Sequence, residues 1–356
     1  MKALILVGGL GTRLRPMTVN IPKAMMPVLN MPFMGHVVER LVQHGVSEVI
    51  FTRGHLAGQM ERYFGNGTGF GLKVTYVNEP YPLGTAGGIK NCQALLDDGT
   101  FLVLNGDVYS HIDYTAMLRL HRERQAMASI ALTTVDNPAA FGLVETESDG
   151  RIRRFLEKPK ADEIMTNMIN AGCYLLEPEV LDYIPPDIPV SVERQTFQLL
   201  LAESKPFYGY DISSAYWIDM GNREKYFQLN LDLLPTSREV KNYHGKGTKI
   251  SPSARIMGSV VIGDNCRVEA GAVINGPAVI GESSCIGAGT VITKSLIWSE
   301  VNIGDGADIR CSIIADRCSI GSGAQVDGAA LADGVFVGPS LVLSGSTVWP
   351  GTILNN

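Results

Sequence analysis

Two different rhythms of apolar residues run along the chain, and the text changes between residues 233 and 248. In the first part, short apolar runs alternate with amphipathic ones. Ala3–Val7, Glu48–Thr52, Lys73–Asn78 and Thr100–Leu104 read as strands, while Met34–His44, Gln59–Phe64 and Gly87–Leu96 carry helical spacing. Strands alternating with helices predict βαβ crossovers and a mixed, mainly parallel α/β sheet. Beyond residue 110 the pattern loosens to Ala128–Thr134, Gly142–Thr146, Ile152–Phe155 and Asn170–Leu176, strands expected to extend the same sheet. After residue 250, Ile256, Ile262, Val268, Ile274, Ile280, Ile286 and Ile292 recur every six residues. The register slips around Ser295–Val301 and resumes at Ile303, Ile309, Ile320 and Val326. A six-residue beat predicts a parallel β-helix in which each repeat forms one face of a coil. The polar stretch LLPTSREVKNYHGKGT (233–248), with its proline and glycines, has the composition of a connector. The expected domains are therefore 1–235 and 249–356, joined by a linker at 236–248.

Composition narrows the classes. The chain has 356 residues, 45% of them apolar, enough for two cores. A net charge of −6 implies no basic face, so nucleic acid is not an expected partner, although a local cation cluster remains compatible with a small anion. Six scattered cysteines without a CxxC pair suit reduced thiols rather than disulfides or zinc. The amino-terminal apolar run spans five residues, too short for a signal peptide, and no stretch has the length of a membrane span. These features predict a cytoplasmic protein.

The first strand breaks into Gly8, Gly9 and Gly11, followed by Thr12, Arg13, Arg15 and Lys23. Such a turn leaves backbone N–H groups free to converge on an anion, and the cations add charge beside it. The spacing is neither GxGxxG nor GxxxxGK[ST], which excludes the dinucleotide and Walker readings. By itself such a string is more often a simple turn.

The longer string GGLGTRLRPMT followed by PK resembles the signature of nucleoside-diphosphate-sugar pyrophosphorylases, the sugar-1-phosphate nucleotidyltransferases, and looks most like their mannose-1-phosphate guanylyltransferase branch. EPYPLGTAGG (79–88), LNGD (104–107), FGLVE (141–145), EKP (157–159), NAGCYLL (170–176), SVERQTF (191–197) and YWIDMGN (216–222) follow in the family's order. The hexapeptide tail is similar to that of left-handed β-helices. The resemblance covers nearly the whole chain. It implies a Rossmann-like, glycosyltransferase-A-like sheet followed by a left-handed parallel β-helix.

The resemblance also implies a reaction. A sugar 1-phosphate oxygen attacks the α-phosphorus of a nucleoside triphosphate and expels pyrophosphate; the nucleophile is already anionic, so alignment and charge neutralisation replace a general base. Gly8, Gly9, Gly11 and Thr12 would hold the triphosphate, with Glu79, Gly84 and Thr85 completing the nucleotide site. Arg13 would stabilise the departing pyrophosphate, Lys23 would bridge the phosphates, and Lys158 would grip the sugar phosphate. Gly142, Glu157 and Asn170 would read the sugar, and Asp107 and Asp219 would carry Mg²⁺, a hard cation suited to carboxylate and phosphate oxygens. Pyrimidine-specific relatives place a glutamine five residues before the glycine of the LGTA element, where this chain has Glu79. A carboxylate only accepts hydrogen bonds, and guanine offers two adjacent donors, so GTP is the expected nucleotide, and the resemblance implies mannose 1-phosphate as its partner. The alternatives are dTTP, UTP or ATP with glucose 1-phosphate or another sugar 1-phosphate, and a non-catalytic nucleotide-sugar-binding regulatory subunit. Ala24 and the MGN of 220–222 depart from the family pattern, and Asn222 together with the unusual PYPLG spacing leaves the sugar open. Hexapeptide coils also build acyltransferases, which need a histidine base; the last of the six histidines is His244, before the coil. The tail is instead expected to be structural, regulatory or oligomerising, with a homo-oligomer as the expected assembly.

Overall fold

The strand Lys2–Leu6 has Ala3, Leu4 and Ile5 fully buried, as a strand covered on both faces must. In the computed structural model, which describes residues 1–9, 11–54, 58–234 and 243–355, it lies at the centre of a sheet. It pairs in parallel with Glu48–Arg53 on one side and Phe101–Asn105 on the other, and Lys73–Asn78 continues the parallel set beyond Glu48–Arg53. Met168–Leu176 then joins antiparallel to Phe101–Asn105 and pairs with Ala128–Thr134 and Gly142–Thr146. Ile152–Glu157 and Phe207–Asp211 complete a mixed sheet that is mainly parallel in its first half. The helix Phe33–Gln43 buries Met34, Val37, Val38 and Leu41, the stripe its spacing predicts.

One expected helix differs. Gly87–Leu96 is two helices, Gly84–Asn91 and Gln93–Leu96, interrupted at Cys92. The first begins earlier because Gly84 takes φ +72° and the Val190 carbonyl accepts the N–H groups of Ala86 (2.9 Å) and Gly87 (3.3 Å).

After residue 243 the chain winds into a parallel β-helix of three sheets. Ile262, Ile280, Ile297, Ile314, Leu331 and Val348 stack in one sheet. Val268, Ile286, Ile303, Ile320, Val337 and Leu354 stack in the second. Ile256, Ile274, Ile292, Ile309, Val326 and Leu343 form the third stack. Partners are 18 residues apart as far as Ile274 and Ile292, and 17 apart from Ile280 and Ile297 onward. The slip in the six-residue beat is thus a corner shortened by one residue between Ile292 and Ile297. It recurs between Ile309 and Ile314, Val326 and Leu331, and Leu343 and Val348. Lys294, Cys311, Gly328 and Gly345 turn these tighter corners in the left-handed conformation.

The chain divides into two compact units, Met1–Leu10 with Met34–Asp219, and Gly11–Phe33 with Met220–Asn356. The helix Arg223–Leu233 and the signature segment Gly11–Phe33 therefore group with the coil, although both precede the expected boundary at 235. The expected linker at 236–248 lies outside the described residues up to 242, and Tyr243–His244 within it already pairs with the coil strand Val260–Ile262.

Candidate active site

In the first unit the chain runs outward from Lys2–Leu6 through Glu48–Arg53 to Lys73–Asn78, then returns to Phe101–Asn105 on the opposite side of the first strand. Connections leaving the carboxyl ends of these two neighbours diverge, and open α/β sheets bind ligands in the crevice so formed. Gly8–Gly9 and Gly106–Asp107 emerge there. Backbones approach closely at this edge: the Gly106 N–H donates to the Leu6 carbonyl at 3.0 Å, and a Cβ on Gly106 would stand 2.5 Å from that oxygen. A Cβ on Gly54 would lie 2.8 Å from the Gly8 Cα, whereas one on Gly9 would meet nothing within 4 Å. Gly8 and Gly9 are both exposed at this edge.

The Glu79 carboxylate sits between Gly8 and Gly88; a Cβ on either glycine would be 3.3 Å from its Oε1. Its Oε2 accepts the Leu83 N–H at 3.3 Å. Burial pushes the nearby Cys92 thiol up to about 12, and the Glu79 charge adds to the shift. Gly84 opens the following helix, and Thr85 uses its hydroxyl internally, donating to Glu193 Oε2 (2.9 Å) and accepting the Val192 N–H (2.8 Å). Thr85 thus fixes a neighbouring segment.

Trp217–Asp219 pairs antiparallel with Val108–Ser110, and Asp219 is the register partner of Val108. That ladder brings Asp219 to the end of the strand that Asp107 precedes. Among the described residues no group of three or more His, Cys, Asp and Glu side chains could hold a metal ion. Two carboxylates leave room for phosphate oxygens and water, a donor set that fits a hard divalent cation.

Gly142 and Glu157 are register partners, and a Cβ on Gly142 would lie 2.8 Å from Glu157 Oε2. Burial raises the Glu157 pKa above its ordinary value, and the Glu193 carboxylate raises it further against the pull of Lys158 and Arg194. Lys158 is exposed, its backbone is left-handed at φ 52°, and its N–H is held by the Phe141 carbonyl at 3.1 Å. A left-handed residue before a proline is strained, and such strain collects at functional sites.

Asn170 precedes a bulge. Register shifts between Asn170 and Tyr174, Gly172 takes φ +71°, and the Trp217 indole N–H caps the Ala171 carbonyl at 3.0 Å. Asn170 Oδ1 accepts the Gly172 N–H and its Nδ2 donates to the Tyr174 hydroxyl, both at 2.9 Å. Tyr174 in turn donates to Glu193 Oε1 at 3.4 Å, and Ser191 donates to Glu193 Oε2 at 2.7 Å. Glu193 therefore joins Thr85 to Asn170. It lies in a π-helical turn, Val192–Thr196, an irregularity common at functional sites. Sequence reasoning noted SVERQTF but assigned none of its residues; a carboxylate inside a motif shared with a family was the available signal.

Gly11, Thr12, Arg13 and Lys23 belong to the second unit. Gly11 is left-handed, its carbonyl accepts from Leu14 N–H (2.9 Å) and the Thr18 hydroxyl (2.8 Å), and a Cβ there would be 3.3 Å from Lys23 Cβ. Thr12 and Arg13 are exposed in a one-turn helix, Thr12–Leu14, and Lys23 is half-buried at the start of another, Lys23–Met25. Asn222, one of the departures from the family pattern, caps the helix Arg223–Leu233 by accepting the Lys225 N–H at 2.9 Å.

Comparison with known proteins agrees with this architecture. Residues 2–236 match the family model described as nucleotidyl transferase, and residues 239–343 match the EIF2B subunit epsilon left-handed β-helix domain. Mannose-1-phosphate guanylyltransferase of Mycobacterium tuberculosis is 39% identical, with 76% of this chain and 77% of that protein covered. A UTP–glucose-1-phosphate uridylyltransferase of Synechocystis is 37% identical over 76% of each chain. The crystal structure of HddC from Yersinia pseudotuberculosis, also solved complexed with GMP-PN, aligns with TM-score 0.55 and 29% identity, covering 64% of this chain and 97% of that one. The mixed sheet, with the hexapeptide coil after it in sequence, agrees with the match over residues 2–236, and the chain belongs to the nucleotidyl transferase family.

Proposed function

We propose that the protein transfers GMP from GTP to mannose 1-phosphate, forming GDP-mannose and pyrophosphate. The observation that carries the choice of base is Glu79, whose carboxylate lies against Gly8 at the mouth of the crevice. An acceptor-only group there matches the N1–H and N2–H donors of guanine and repels the acceptors of a pyrimidine edge. Guanylyltransferase relatives and the GMP-PN-bound HddC structure support the same choice.

In the reaction, a phosphate oxygen of the sugar phosphate forms a bond to the α-phosphorus while the bond to the bridging oxygen breaks, and pyrophosphate leaves with that electron pair. The N–H groups of Gly8, Gly9 and Gly11, with Thr12, hold the triphosphate. Arg13 and Lys23, on the segment that follows, oppose the charge that grows on the leaving pyrophosphate. Lys158 holds the sugar phosphate, and Gly142, Glu157 and Asn170 orient the sugar, with Asn170 fixed by Tyr174 and Gly172. Asp107 and Asp219 would hold Mg²⁺, which would supply positive charge beside the phosphate oxygens.

The test is pyrophosphate release measured with GTP, ATP, UTP, dTTP and CTP against a panel of sugar 1-phosphates. GTP with mannose 1-phosphate should be preferred. Turnover with UTP or dTTP and none with GTP would overturn the guanine assignment. Tight nucleotide-sugar binding without turnover of any pair would make the protein a regulatory subunit.

A further inference from the structure

The hairpin that follows Lys23 is bent in a way its sequence resists. Pro27–Val28 and Met31–Pro32 pair around Leu29 and Asn30, both left-handed at φ 48° and 67°. This two-residue turn suits asparagine, but a leucine there is strained and persists only where its surroundings hold it. The surroundings are the last helix and the coil. The Leu29 N–H donates to Asn230 Oδ1 at 3.1 Å, and the Asn30 amide donates to the Ile280 carbonyl at 2.8 Å. At the base of the hairpin the Tyr226 hydroxyl donates to the Pro27 carbonyl (2.5 Å) and accepts the Trp298 indole N–H (2.9 Å). Tyr226 is fully buried and Trp298 is 4% exposed, with the rings edge to face. On the other side of Lys23, the Asn20 amide donates to Asp333 Oδ2 of the coil at 3.3 Å. The Lys23 turn itself closes through Met25 N–H to Pro22 and Met26 N–H to Lys23, at 2.8 and 3.2 Å. Lys23 therefore stands between two anchors, Asn20 and Pro27, each held by a coil side chain directly or through Tyr226.

We propose that Tyr226 and Trp298 are positioning residues for Lys23, so that the coil sets where the Lys23 ammonium stands and takes part in nucleotidyl transfer. The proposal rests on the reading of Lys23 as a phosphate-binding group. Charge neutralisation depends on placement to within about 1 Å, and a pair of buried polar groups with no access to water is a stiff support.

The test is a double-mutant cycle on the full-length enzyme. Tyr226→Phe, which removes only the hydroxyl, should lower kcat at least about tenfold with KM for the sugar 1-phosphate changed less than about twofold. In a Lys23→Ala background the same substitution should produce no further loss, because the group it positions is gone. Trp298→Phe should behave like Tyr226→Phe, and Asn30→Ala at the exposed hairpin tip replaces them if the buried variants fail to fold. Equal fold-losses in both backgrounds would assign Tyr226 a merely structural role and overturn the proposal. Near-normal kcat for Tyr226→Phe beside a crippled Lys23→Ala would overturn it while leaving the reading of Lys23 intact. Near-normal turnover of Lys23→Ala would overturn both.

Discussion

Thr85 and Glu193 meet at 2.9 Å across 108 residues of sequence, the threonine hydroxyl donating to the carboxylate. Through Tyr174 the same carboxylate reaches Asn170, so one side chain ties the helix Gly84–Asn91 to the bulge that follows Asn170.

Glu193→Gln tests that tie and yields a pH signature. The neutral amide keeps one acceptor and turns a donor toward hydroxyls that already donate, so a loss of about 1–2 kcal/mol in urea unfolding is expected. The Glu157 carboxyl is held above its usual range by burial first and by the Glu193 charge second. If ionised Glu157 binds the sugar, activity falls as pH drops through that raised pKa. Removing the Glu193 charge lowers the Glu157 pKa, so the acid limb of kcat/KM for the sugar phosphate should move to lower pH. A limb that stays in place would refute the coupling.

Two glycines at the crevice should part company. At Gly106 an added Cβ would collide with the Leu6 carbonyl at 2.5 Å and Val7 Cγ1 at 2.6 Å, so Gly106→Ala should cost about 1–3 kcal/mol of stability. Gly9 has open space around its Cβ position and no positive φ, so Gly9→Ala should alter stability by less than about 0.5 kcal/mol. If the Gly9 backbone approaches phosphate, the same change should still depress kcat/KM for GTP by about tenfold or more. Urea titrations and initial rates on the two variants separate the effects.

Asp107→Asn and Asp219→Asn should each lower kcat by about 10³-fold. Each should also raise the Mg²⁺ concentration needed for half-maximal rate, while the melting temperature stays within a few degrees of wild type. Rates near wild type in either variant would remove that residue from the metal site.

Glu79→Gln should shift base choice. An amide can both accept and donate, so turnover with GTP should fall and turnover with UTP or dTTP should rise, changing the ratio of kcat/KM values by about tenfold or more. An unchanged ratio would show that the base is read elsewhere.

Much of the architecture was legible in the chain itself. The alternation of strands and helices, the strand bounds Lys73–Asn78, Ala128–Thr134 and Gly142–Thr146, and the six-residue coil beat follow from local periodicity, which needs no knowledge of partners. The signature motifs were legible in another way: the glycine, arginine and lysine run says only that an anion would fit, and the later motifs in the family's order gave it a reaction. Ile314 was not, because it follows Ile309 by five residues, and only stacking on Ile297 and Leu331 makes that corner regular.

What tertiary structure alone decided are the relations between distant residues. Asp219 stands opposite Val108 because a strand register puts it there. Thr85 meets Glu193 because its helix packs against the Val190 segment. Pro27 and Tyr226, 199 residues apart, share a hydrogen bond that ties the signature segment to the last helix, with Trp298 of the coil completing it. Local sequence sets backbone preference and charge, but which polar groups saturate one another inside a dry core is settled only when the chain has closed around them.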